Sequence, residues 1–228
     1  MTLLSCNNGN KSSDSSGAQA SRHSASSKTM AIITNSKTIR LSNTKGSIIV
    51  KIAEAGKDQS TLSYVKKEWR EWCEIGDKDE DGVLLIKVRN SSFTGDSGCE
   101  LEWSLTLRPD VSLEIEQAAG NITGTGALKA LSIKLAAGQL TWSKMAMPVS
   151  IEVAAGNIEL QAQHWPEEGS SNISVATGNV SIKSPKGANV STQISKAMGI
   201  VTNDFPPKQG GHSLKIDLAL GKVSHLAY

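Results

Sequence analysis

A ten-residue phrase recurs along the second half of this chain, and it constrains the fold more than any other feature. "IEVAAGNIEL" (151–160) is echoed by "IKLAAGQLTW" (133–142) and "ISVATGNVSI" (173–182). Aligning Gly120, Gly138, Gly156, Gly178, Gly199 and Gly221 gives spacings of 18, 18, 22, 21 and 22 residues. Isoleucine stands five positions before each (Ile115, Ile133, Ile151, Ile173, Ile194, Ile216) and alanine two before (Ala118, Ala136, Ala154, Ala176, Ala197, Ala219). An aliphatic residue stands two after: Ile122, Leu140, Ile158, Val180, Val201 and Val223.

Each unit reads as a strand, a tight corner and a second strand. Val149, Ile151 and Val153 alternate with polar residues, so one face is apolar. The corner takes small residues, and glycine there can adopt positive φ. A unit this short cannot bury its own apolar face, but stacked copies can, isoleucine on isoleucine and valine on valine. The expected fold is therefore all-β: a β-solenoid of about six coils of 18–22 residues, with an N-terminal hairpin cap. The competing reading is a meander or sandwich of hairpins with similar turns. No six-residue period is present, which excludes a hexapeptide left-handed β-helix.

Three regions are expected. Residues 1–37 are a lipobox-like start and a Ser/Asn-rich tether too polar to offset the entropy of ordering. Residues 38–110 form the strand and hairpin cap section, ending in a turn at Arg108-Pro109-Asp110, and 111–228 carry the repeats. "TIRLSNTKGSIIVKI" (38–52) follows the repeat grammar around Gly46 and reads as a first coil. A net charge of +2 gives no field suited to nucleic acid. No apolar run is long enough to span a bilayer as a helix.

Two resemblances follow from these residues. Leu3-Leu4-Ser5-Cys6 resembles the lipobox of bacterial lipoproteins, which implies lipidation at Cys6 and anchoring to a membrane. Only Met1-Thr2 precede it, where the family has a basic and then an apolar region, so either the start lies further upstream or the match is accidental. The elements "IRLSNTKGSIIVKI", "LTLRPDVSLEIEQAAGNITG" and the serial A-x-G coils resemble the DUF4097-type putative adhesins of bacterial envelopes, over residues 38–228. That resemblance implies an exported, envelope-attached protein without established enzymatic activity.

Candidate chemistry is sparse. Setting Cys6 aside leaves Cys73 and Cys99, which an exported compartment permits either to bridge or to remain two thiols. Asp77, Asp79 and Asp81 with Gly82 have the opening of a calcium loop, but the twelfth position is Val88, and Asp-Gly is also a hairpin turn signal. We read a turn, with those carboxylates as weak metal candidates. The four histidines, His23, His164, His212 and His225, form no metal-binding spacing. No catalytic or cofactor motif is found. Trp142 sits on an inward row, whereas Trp165 lies in the longer connection "QAQHWPEEGSS" and is the candidate for an exposed binding loop. The sequence is read as a non-enzymatic, lipid-anchored adhesin-like or structural module with a protein or glycan ligand. The alternatives are a periplasmic scaffold or stress sensor, and a polysaccharide-active enzyme on a β-helix. With Tyr228 closely following the last repeat, edge-to-edge self-association of the coil end is also expected.

Overall fold

The computed structural model describes residues 30–54, 57–90, 98–207 and 210–228, and among these there are twelve strands and no helix. Cys6 and His23 lie outside the described residues. The strands are β1 (Met30–Thr34), β2 (Thr38–Ile52), β3 (Ser60–Glu68), β4 (Cys73–Glu80), β5 (Val83–Asn90), β6 (Glu100–Leu107), β7 (Ser112–Thr125), β8 (Ala130–Met145), β9 (Val149–Ala162), β10 (Ser170–Ser184), β11 (Val190–Asn203) and β12 (His212–Ala227). They form one mixed, unclosed sheet in the order β1-β3-β6-β2-β7-β8-β9-β10-β12-β11, with β5 beside β2 and β4 beside β5.

Seven long strands, β2, β7, β8, β9, β10, β12 and β11, run parallel with their corner glycines in register. Their connections reveal their shape. β7 and β8 pair start to start, Ser112 on Ala130, yet only residues 126–129 lie between them. A straight 14-residue strand would run about 46 Å at ~3.3 Å per residue, and four residues cannot return over that distance. Each long strand therefore doubles back at its glycine.

The corner shows how. In β9 the buried residues are Val149, Ile151 and Val153, then Ile158, Leu160 and Ala162, so the alternation slips by one across Ala154-Ala155-Gly156. The pairing register steps over the alanine two before each glycine, as between Val175↔Val153 and Thr177↔Ala155. That alanine is an unpaired residue in a column of aligned bulges, which sharpen the bend and keep both arms facing one core. Gly178 has φ 146°, and a Cβ on it would fall far inside contact distance of the Gly156 carbonyl. The same holds along the column, each glycine approaching the carbonyl of the one stacked beneath it. Inward side chains complement one another too: Gly124 sits opposite Trp142, whose ring occupies the space a Cβ would need, and the Trp142 indole N–H donates to the Gly126 carbonyl at 2.9 Å.

Gly46 of β2 joins the column against Gly120, so residues 38–52 do form a strand of the repeat type. β5 and β6 lie along the two arms of β2, Ile86 opposite Leu41 and Trp103 opposite Ile48, and together mimic one more unit with an insertion at its corner. Leu101 stands opposite Gly46. Antiparallel β3 then covers β6, and antiparallel β4 covers β5. Cys73 and Cys99 are joined by a disulfide (Cα–Cα 5.6 Å) that ties β4 to the entrance of β6.

The repeats do not stack in sequence order at the C-terminal end: β12 inserts between β10 and β11, and Gly221 lies on Gly178 with Gly199 outermost. The connection from β10 to β11 (185–189) steps past one strand position, and the chain returns through 204–211 to fill it with β12; Phe205 in that return packs on His225 (ring centroids 4.4 Å). The outermost strand is thus β11, not the last repeat.

Two predictions test these contacts. Gly178→Ala should destabilise the fold by more than about 4 kcal/mol, the exceptional end of single substitutions. Gly187→Ala, equally at positive φ but with no atom near the added Cβ, should cost only about 1–2 kcal/mol. Urea titration of both variants is the measurement. By the same assay, Cys73→Ser/Cys99→Ser, which opens a link across a sequence separation of 26 residues, should lose about 3 kcal/mol.

Candidate functional site

The bulged corners leave a groove. Thr44 and the alanines at 118, 136, 154 and 176 form its floor, and the residues two positions earlier (Ser42, Glu116, Lys134, Glu152, Ser174) form one wall. It encloses about 600 Å³ and continues past Ala176 over Ala219 and Ala197, beside Asp217 and Ser195. Because neighbouring strands lie about 4.8 Å apart, the wall presents one polar group per step. Glu116, Lys134 and Glu152 alternate in charge on successive strands, an arrangement that favours the sheet across the strands. The floor alanines from 118 to 176 are exposed. Beyond the corner, Asn157 and Asn179 form an amide ladder, the Asn179 side-chain N–H donating to Asn157 Oδ1 at 3.0 Å. This is a shallow, open surface that can hold an extended ligand along the stack.

The predicted candidates fall elsewhere. Asp81 (φ 51°) and Gly82 (φ 75°) are the two central residues of the tight β4–β5 hairpin, as the Asp-Gly signal indicates. Asp79 accepts from Ser36 Oγ (2.6 Å) and Thr34 Oγ1 (2.8 Å), which hold its carboxyl below the ordinary range and commit it to the cap. Asp79 is thus bound into the cap, Asp81 sits in the hairpin turn and Asp77 lies on β4; no cluster of three metal-ligating side chains occurs among the described residues. Arg108 spans the turn at Pro109, binding Asp110 (3.0 Å) and the carbonyls of Asp58 and Asn35.

Trp165 corrects an expectation. Far from being an exposed platform, it is 6% exposed, and its indole N–H donates to Ser184 Oγ at 2.9 Å. It stacks on His212 (5.1 Å) and meets His225 edge-on (6.4 Å). The loop folds inward because an indole offers a large apolar area plus one donor that the core can satisfy.

The resulting buried polar cluster was not anticipated as a unit. His225 is fully buried, with Nε2 2.7 Å from Ser184 Oγ and Nδ1 2.9 Å from Thr192 Oγ1. His212 is also fully buried, its Nε2 2.8 Å from Ser171 Oγ. Burial pushes both imidazoles toward the neutral form, His225 to about 4, against a smaller opposing pull from Asp204. The signal in the sequence is positional: 212, 214, 216 and 218 alternate inward, as do 223 and 225. The two imidazoles pack inside the fold, partnered by the hydroxyls of Ser171, Ser184 and Thr192 and, for His212 Nδ1, by the Glu168 carbonyl.

No family model matches the chain, and no curated protein matches it. Solved structures do. A putative adhesin from Bacteroides fragilis is similar over 87% of this chain and 97% of its own, at 11% identity and a TM-score of 0.50. A putative cell adhesion protein from Clostridium sporogenes is 15% identical over 87% of this chain and 98% of its own, with a TM-score of 0.49. At such identities the likeness is one of fold.

The histidine cluster gives a pH prediction. An unfolded histidine titrates near 6.5 and folded His225 near 4, so the stability it confers is complete above about 6.5 and is lost as pH falls toward 4. The loss should approach about 3 kcal/mol for a shift of this size. Urea midpoints measured from pH 7.5 to 4 should fall accordingly, and His225→Gln should flatten that fall.

Proposed function

We propose that this chain is a non-enzymatic binding module of the bacterial envelope, a DUF4097-type adhesin-like β-solenoid held to a membrane by lipid on Cys6. Each doubled strand is one coil of the solenoid, and the Ser/Asn-rich segment is the tether that holds it away from the lipid. The observation that carries the reading is the alanine-floored groove. It runs across the stacked strands from β2 to β10, meets a second groove over β12 and β11 at Ala176, and presents regularly spaced polar groups. The fold shared with the Bacteroides fragilis putative adhesin supports it. A linear glycan or an extended protein segment is the kind of ligand such a groove accommodates, because its repeating groups can meet repeating partners.

The test is retention of the full chain on immobilised bacterial and host glycans and matrix proteins. Ala154→Trp should fill the groove and weaken binding at least about tenfold, or ~1.4 kcal/mol, with urea titration confirming that the variant assayed is folded. Binding that this substitution leaves untouched would move the ligand site elsewhere. Expressed behind a complete export signal, the protein should fractionate with membranes, and Cys6→Ser should release it. Digestion by protease added to intact cells would support the adhesin; protection until lysis would favour a periplasmic scaffold or sensor.

A further inference from the structure

The two ends of the stack are finished differently. At one end β3 and β4 close over β6 and β5. At the other, β11 is bonded on one side only among the described residues, by β12. Side-chain character changes at this end as well. The residue after the corner glycine is a polar amide from β7 to β10, but in β11 it is Ile200, 64% exposed. The residue before it is Met198, 68% exposed, and the adjacent Leu220 of β12 is 47% exposed. Ile194 and Val201 continue two rows that are buried in each of the six other long strands, yet both are only half-buried here. An open ladder, an apolar patch and an uncovered core end therefore coincide, which is the signature of a surface that meets a partner.

We infer that this end face is an interface for a second copy of the chain, with two β11 strands pairing antiparallel about a two-fold axis. The occupant must supply a strand edge, apolar side chains for Met198 and Ile200, and cover for Ile194 and Val201; a second β11 supplies all of these. The chain's own N-terminal segment is the less suited occupant. It joins β1, at the opposite end of the sheet, and its Ser/Asn-rich sequence lacks the alternation needed to cover an apolar row. Size agrees: the 14 residues of β11 and the adjoining loop approach the roughly 20 residues a side of a standard interface. A two-fold contact also closes on itself. Assembly through β11 therefore stops at two and does not extend into filaments. Lys196 takes the inward position held by Leu135, Val153, Val175 and Leu218 in other strands, and its Nζ caps the Gly199 carbonyl at 2.7 Å. That exposed bond guards the edge of the single copy and yields when a second strand arrives.

The test is light scattering on the full chain carrying Cys6→Ser, which removes any intermolecular disulfide through that thiol. The expected mass is twice the 24.1 kDa of the chain, at about 50 µM, with dissociation on dilution. Met198→Thr/Ile200→Asn, which installs the residue types of β10, should fold with an unchanged urea midpoint at low concentration and raise the dimer dissociation constant at least about tenfold. Ile200→Cys should cross-link to itself across the axis. A parent chain that stays monomeric, association indifferent to the double substitution, or a mass that climbs without limit would each overturn the proposal.

Discussion

Everything in this molecule depends on how closely one backbone approaches the next at the corner glycines. Parallel strands must sit about 4.8 Å apart to share hydrogen bonds, and at a sharp bend that spacing leaves no room for a Cβ between stacked corners. At Gly120, Gly138, Gly156, Gly178, Gly221 and Gly199 that Cβ would collide with a neighbour's carbonyl. Removing it lets the bends superpose, and superposed bends place both arms of every strand in continuous ladders. The core follows as a consequence: isoleucine rows on one arm and aliphatic rows on the other, each residue packing on its own counterpart one strand away.

A stack of this kind is open at its ends, and the chain treats the two ends unequally. Near the N-terminus an extra unit is assembled from β5 and β6, its corner replaced by an insertion and fixed by the Cys73–Cys99 bridge, with antiparallel strands laid over it. Leucine is admissible opposite Gly46 because no further corner stacks beyond it. Toward the C-terminus the chain skips a place and returns, leaving β11 outermost and β12 enclosed. Trp165, Phe205 and the buried histidines fill the space that this crossover encloses, trading pH tolerance for packing. The groove belongs to the middle of the stack, where the repeat is most regular.

Much of this was legible in the sequence because each constraint falls on one residue type at one position. Glycine at the corner, alanine two before it and aliphatic residues five before and two after are direct imprints of bend and core. Asp81-Gly82 and Arg108-Pro109-Asp110 announced their turns for the same reason. The exchange of β11 and β12 was not legible from the shared grammar, since both satisfy it. The distinguishing residues are Lys196 on an inward row and Met198 and Ile200 beside the glycine, on the strand that has a bonded neighbour within the chain on one side only among the described residues. Trp165 misled because a tryptophan in a polar loop looks exposed; its burial depends on Ser184 and His212, brought near by the stack. A groove made of alanines leaves no chemical motif to read.

The in-register stack, with its exchanged final strands, is the central claim, and paired cysteines measure it directly. In a Cys6→Ser chain, Asn179→Cys with Lys222→Cys joins positions that face each other on β10 and β12. At the spacing of adjacent strands their Cα atoms fall within the ~4.4–6.8 Å a disulfide accepts. Asn179→Cys with Ile200→Cys places the thiols two strands apart, about 9.6 Å, beyond that range. The account predicts rapid intramolecular oxidation of the first pair, identified by mass spectrometry of the cross-linked peptides, and none of the second. Oxidation of the second pair in preference to the first would contradict it, because the repeats would then stack in simple sequence order.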